Sequence, residues 1–183
     1  MIRSTAALLC AFASATAVPT GQTVPASTKI VTFSARTMTK AGTESGSCWT
    51  TSIASTRSDA FRCMAGNEIH DPCFVAGAKS VACPTDVFEG KGIVMTLDKP
   101  LPPAASPQAP RPWAMLLAGG AKCTLGTGTV VAGYPYYCSG ENGVCAAPNA
   151  GKPYAAAYFV ACAKIVGDKP VPAGKTLAKT LYF

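Results

Sequence analysis

The sequence predicts a mainly β fold, a small antiparallel barrel or sandwich with one short helix near its start and a brace of disulfides. An α+β arrangement is the alternative. Three observations carry this reading. Seventeen glycines and fifteen prolines among 183 residues exceed the ~12% usual for the two together and punctuate the chain too often for a helical bundle. The apolar runs are short and either alternate or are β-branched, as at Lys29–Thr37 and Gly92–Leu97, which is strand patterning. Nine cysteines, eight of them between Cys48 and Cys162, suggest a disulfide framework in an exported chain.

The N-terminus supplies the export context. Met1-Ile2-Arg3 precedes an uncharged stretch from Ser4 to Val18, with small residues at Ala13, Ala15 and Ala17. A charged start, a short apolar run and an A-x-A cut describe a secretory signal. The run is shorter than the ~20 residues a membrane span needs. Residues 1–17 are therefore expected to leave as a signal peptide, Cys10 with them, so that the mature chain is not transmembrane. Residues 18–28 read as a flexible lead and 29–183 as a single β-rich domain.

The elements follow in order. Lys29 to Thr37 alternates and is expected as the first strand. Ser58-Asp59 followed by Ala60, Phe61, Met64 and Ala65 suits a short helix with a serine cap and an early acid, stopped by Gly66-Asn67. Gly92–Leu97 and Trp113–Leu117 are strands. Between them Pro100–Pro112 carries six prolines in thirteen residues, too many for a sheet ladder, so it is an extended, exposed loop. Gly119-Gly120 turns Trp113–Leu117 back onto Ala121–Leu125. Thr129–Ala132 and Tyr134–Cys138 form a broken strand, with a turn at Asn142-Gly143. Tyr154–Val166 borders on a helix pattern but is expected as a strand, because Lys175–Phe183 offers an antiparallel partner.

The eight remaining cysteines are Cys48, Cys63, Cys73, Cys83, Cys123, Cys138, Cys145 and Cys162. Spacing favours bridges between neighbours: Cys48 with Cys63 or Cys63 with Cys73, Cys73 with Cys83, and Cys123 with Cys138. A hairpin at Gly140–Gly143 would instead bring Cys138 to Cys145, in place of pairs with Cys123 and Cys162. With one histidine and no C-x-x-C pair, no metal and no cofactor are expected.

The densest group of polar functional side chains is Trp49, Arg57, Arg62, Asn67, His70 and Asp71. The planar forks of Arg57 and Arg62 suit a carboxylate or phosphate, with Trp49 as a stacking face. The competing expectation is structural: Asp59 and Arg62 pair on the helix, and Trp49 packs in the core beside a disulfide. The block that holds these residues runs Ser47-Cys48-Trp49, Asp59-Ala60-Phe61-Arg62-Cys63-Met64, Gly66-Asn67 and Asp71-Pro72-Cys73-Phe74. It resembles a group of uncharacterised secreted bacterial proteins that share this cysteine block. The resemblance covers roughly the first third of the mature chain and implies an exported β-rich domain. Cys145 and Cys162 lie outside the shared arrangement.

Several function classes are disfavoured. A Ser-His-Asp hydrolase would have to use His70 with Ser47, Ser52 or Ser55 and with Asp71 or Asp59, and no G-x-S-x-G elbow is present. The acids are scattered, which offers no obvious pair for glycoside cleavage. Gly119-Gly120 and Gly126-Thr127-Gly128 lack the helix and Lys-Ser/Thr of a phosphate loop. The formal charge is +7, yet Lys152, Lys164, Lys169, Lys175 and Lys179 are spread without interleaved aromatics, unlike a nucleic-acid reader. The expected function is a secreted or envelope-associated, non-enzymatic binding or structural module. Its partner would be an anionic cell-envelope polymer or a secreted protein. The alternatives are an envelope hydrolase using His70, or a secreted hydrolase inhibitor presenting Pro100–Pro112.

Overall fold

The computed structural model describes residues 26–140, 143–148 and 156–183. The expected signal peptide, most of the lead and Asn142 of the expected turn lie outside them. The described residues contain strands and no α-helix: β1 Lys29–Val31, β2 Thr39–Thr51, β3 Ala60–Ala65, β4 Glu68–Gly77, β5 Ser80–Asp86, β6 Lys91–Leu97, β7 Ala114–Leu117, β8 Lys122–Leu125, β9 Tyr136–Cys138, β10 Val144–Cys145, β11 Tyr158–Val166 and β12 Lys169–Tyr182.

Two rings of strands result. β2 to β6 form a closed barrel, antiparallel throughout except where β2 meets β6 in parallel, from Thr39 opposite Lys91 to Gly46 opposite Leu97. The second sheet runs β1-β12-β11-β10-β9-β8-β7, and β12 also pairs with β7. The length of β12 permits this. Lys169–Ala178 serve β11, Thr180–Tyr182 serve β1, and the opposite edge meets β7 between Ala178 and Tyr182.

The expected short helix at Ser58–Ala65 is corrected to a turn followed by strand β3. Ala60, Phe61, Met64 and Ala65 have helical spacing, but β3 alternates as a strand, with Phe61, Cys63 and Ala65 buried and, between them, Arg62 half-buried and Met64 exposed. Phe61, Cys63 and Ala65 point into the barrel with Cys73, Val81, Cys83, Ile93 and Met95. Ala60 points outward and, with Phe74 and Ala82, joins the core shared with Trp113, Met115, Leu117, Tyr136 and Leu181 of the second ring. With a covered Ala60 and an exposed Met64 the outward face is itself partly apolar, and so short a run is not separated from a helix by periodicity alone. The expected first strand is also shorter, Lys29–Val31, because Arg36 and Thr37 turn back on Ser34.

The four disulfides are Cys48–Cys63, Cys73–Cys83, Cys123–Cys138 and Cys145–Cys162. Each joins adjacent antiparallel strands, β2–β3, β4–β5, β8–β9 and β10–β11. Three link residues recorded as directly opposite, and Cys73 and Cys83 flank the Phe74–Ala82 pair. The Cys63–Cys73 and Cys138–Cys145 alternatives do not form. Pro100–Pro112 is irregular and mostly exposed, as expected, and connects the rings. Its end is tied down where Arg111 donates to the Ile53 carbonyl at 2.8 Å and to the Thr56 hydroxyl at 3.2 Å.

Candidate functional site

The six candidate residues do not converge on one site. Arg57 lies in the loop before β3 and grips Asp59 with two hydrogen bonds of 2.8 and 2.6 Å. It also donates to the Phe33 carbonyl at 2.7 Å, and its guanidinium carbon lies 4.4 Å from the centre of the Phe74 ring. All these interactions are internal, so Arg57 ties the segment after β1 to the barrel. The expected Asp59–Arg62 pair is therefore corrected to Arg57–Asp59, since without a helix residues 59 and 62 do not share a face. Asn67 sits exposed in the turn between β3 and β4.

His70 and Asp71 neighbour each other on β4 but meet different partners. The His70 Nε2 is buried without a hydrogen bond, 3.8 Å from a Glu44 carboxylate oxygen and 4.0 Å from one of Glu68. Asp71 accepts from the Ser52 hydroxyl, from the Ile53 N–H at 3.1 Å and from the Ala54 N–H at 3.4 Å. It thereby folds the loop after β2, where Ser52 in turn accepts from the Ser55 N–H at 2.8 Å. Ser52 is thus occupied by Asp71 and is not a partner of His70.

Arg62 and Trp49 complete this arrangement. Arg62 donates to the Thr127 carbonyl at 2.9 Å and lies 3.6 Å from an Asp71 oxygen, so one side chain spans both rings. Its guanidinium carbon is 5.8 Å from the centre of the Trp49 ring. Trp49 is 48% exposed, which corrects the expectation of a core tryptophan: β2 alternates, and Cys48 takes the inward position.

Between the rings lies a cleft of about 460 Å³, with Asp71, Pro84 and Asp86 on one side and Trp113, Lys122 and Thr124 on the other. That volume is within the ~300–1,000 Å³ usual for small-molecule sites. Asp86 accepts from the Phe88 N–H at 2.9 Å, the Glu89 N–H at 3.1 Å and the Lys122 ammonium at 3.4 Å. Burial pushes its carboxyl upward, but the Glu89 and Phe88 amides and Lys122 prevail and hold it below the ordinary carboxylate value. Trp113 is 4% exposed and packs against Phe33 and Phe74 at 6.2 and 6.0 Å between ring centres. Its indole Nε1 is buried and has no hydrogen-bond partner among the described residues.

Of the sequence candidates, the cleft wall includes Asp71, while Arg62 and Trp49 support it from behind. Asp86, Trp113 and Lys122 were missed, because they are scattered along the chain and meet only when the two rings pack. The charges pair off, Asp71 with Arg62 and Asp86 with Lys122. A general acid needs a carboxyl held protonated, and Asp86 is displaced in the opposite direction. One cluster of three metal-capable side chains occurs among the described residues, Cys123, Cys138 and Cys145. Its sulfurs belong to disulfides and offer no thiolate. No helix among the described residues is long and apolar enough to cross a membrane. No protein-family model, no curated protein and no solved structure matches the chain.

Proposed function

We propose that the protein is a secreted or envelope-associated, non-enzymatic binding module whose ligand enters the cleft between the two rings. The observation that carries this reading is the cleft of about 460 Å³, walled by Asp71, Pro84 and Asp86 of the barrel and by Trp113, Lys122 and Thr124 of the second ring. Export is supported by the leader-like N-terminus and by four disulfides, which persist in oxidising compartments.

The paired charges define the ligand class. A strongly anionic group would meet Asp71 and Asp86, and a cation would compete with Arg62 and Lys122. A neutral unit with carbonyl and hydroxyl groups fits a wall that offers the threonines Thr85 and Thr124 beside the paired charges. An N-acetylated sugar unit of an envelope polymer has that chemistry. The overall +7 charge would draw the module towards an anionic polymer, and the cleft would hold one neutral residue of it.

Calorimetric titration with soluble N-acetylated glycan fragments of bacterial cell wall tests the reading. Binding should occur with the native protein and weaken at least tenfold in Thr124→Trp, which fills the cleft from the exposed face of β8. Equal affinity in the two proteins, or no heat with either, would sink it.

A further inference from the structure

The cysteines of the second ring stand in a row across neighbouring strands. Cys123 lies on β8, Cys138 on β9, Cys145 on β10 and Cys162 on β11, and these strands adjoin in that order. Cys123 is directly opposite Cys138, and Cys145 is directly opposite Cys162. Between the two bridges the Cys138 and Cys145 sulfurs are 3.3 Å apart, so the row runs bond, contact, bond.

A thiolate breaks a disulfide by bonding to one sulfur and expelling the other from its far side. The row meets that requirement at Cys145. Cys138, which would attack, and Cys162, which would be expelled, belong to strands on opposite flanks of β10. Such an exchange would release the seam between β10 and β11, where the ladder pairs are Val144–Ala163 and Cys145–Cys162 and the disulfide is the covalent tie.

Access decides where exchange begins. Cys138 is half-buried, whereas Cys123, Cys145 and Cys162 are at most 3% exposed. The barrel offers a contrast. Its bridges, Cys48–Cys63 and Cys73–Cys83, join buried residues throughout, and the Cys73 sulfur rests 3.6 Å from the His70 carbonyl oxygen. An incoming thiol therefore meets Cys138 before any other bridged cysteine of the described residues.

We infer that this row is a thiol–disulfide relay, opened at Cys138 by a dithiol and ending in a free thiol at Cys162. One thiolate of the dithiol bonds to the Cys138 sulfur, and Cys123 leaves as a thiolate. The second thiol closes the dithiol's own disulfide and frees the Cys138 thiolate, so the dithiol is oxidised and the Cys123–Cys138 bridge reduced. The Cys138 thiolate then bonds to the Cys145 sulfur, the Cys145–Cys162 bond breaks, and Cys162 leaves as a thiolate that takes a proton from water. This last step is an isomerisation with no net oxidation. The product holds a Cys138–Cys145 bridge and thiols at Cys123 and Cys162.

The relay is independent of the cleft, and either can fail without the other. The test is brief treatment of the folded full chain at neutral pH with one equivalent of dithiothreitol, trapping with N-ethylmaleimide, and non-reducing peptide mapping. Cys123 and Cys162 should be alkylated together, at least tenfold above Cys48, Cys63, Cys73 and Cys83, and a Cys138–Cys145 peptide should appear. In Cys123→Ser the same bridge and an alkylated Cys162 should appear without any reductant. Alkylation of Cys123 and Cys138 with the Cys145–Cys162 bridge intact would overturn the relay. So would barrel bridges that open as fast as those of the second ring, or a Cys123→Ser chain alkylated at Cys138 alone.

Discussion

The Sγ atoms of Cys138 and Cys145 lie 3.3 Å apart, although each belongs to a different disulfide. β9 and β10 explain the contact. Tyr137 is opposite Val144 and Tyr136 opposite Cys145, so Cys138 and Cys145 are diagonal neighbours on one face. Each bonds instead to the cysteine directly across on its other flank, Cys123 or Cys162.

A defined exchange of partners follows. In Cys123→Ser/Cys162→Ser the two remaining thiols are already in contact, and non-reducing peptide mapping should find a Cys138–Cys145 bridge. Losing two native bridges and gaining one should lower stability by about 2–4 kcal/mol. Free thiols at both positions would show that the diagonal is not closed in solution.

Arg57 holds Asp59, the Phe33 carbonyl and the Phe74 ring together. Arg57→Ala should cost about 2–3 kcal/mol, since it removes charge-assisted hydrogen bonds and strands their acceptors. Arg57→Lys should recover less than half, because an ammonium does not reproduce the two-pronged grip on Asp59. Urea midpoints measure both, and a neutral Arg57→Ala would mean that the loop is held by packing alone.

Gly46 tests the close approach of β2 to β3. A Cβ there would lie 2.2 Å from the Met64 carbonyl oxygen, and both positions are backbone-fixed by the ladder. Gly46→Ala should destabilise by roughly 2–3 kcal/mol, read by thermal unfolding, and an unchanged midpoint would contradict the packing described.

Tyr136 gives a pH dependence. Burial pushes its phenol well above the ordinary ~10, against a smaller downward pull from Arg111. It donates to the Pro112 carbonyl at 2.5 Å. A raised folded value means that its contribution is complete below about pH 10 and is lost as the pH climbs from there towards the folded value, by up to ~1.4 kcal/mol per pH unit. Tyr136→Phe should cost about 1–2 kcal/mol at neutral pH and remove that alkaline slope. Parallel slopes in the two proteins would place the alkaline loss elsewhere.

The fold was legible where a short apolar or β-branched run is bounded by turn residues. Gly92–Leu97, Trp113–Leu117, the Gly119-Gly120 turn and the Tyr158–Val166 hairpin partner all match the sequence patterns. Ala60–Ala65 was misread because its outward face carries apolar Ala60 and Met64 around Arg62, so the polar half of the alternation is incomplete. The site was less legible for a different reason. Arg62 and Asp71 stood out as a polar cluster, but what they support is a cleft whose other wall, Trp113 and Lys122, comes from the second ring. No local pattern marks residues that become neighbours only through packing of two sheets.

The cleft is tested most directly by the Trp113 indole resonance in a nitrogen–proton spectrum of the native protein. On titration with soluble N-acetylated cell-wall glycan fragments it should shift as a ligand fills the cleft beside the Trp113 ring, while the Trp49 indole, outside the cleft lining, changes little. Trp113→Phe should keep the fold and lose the binding. Saturable binding that leaves the Trp113 indole unmoved, or full binding by Trp113→Phe, would contradict the assignment.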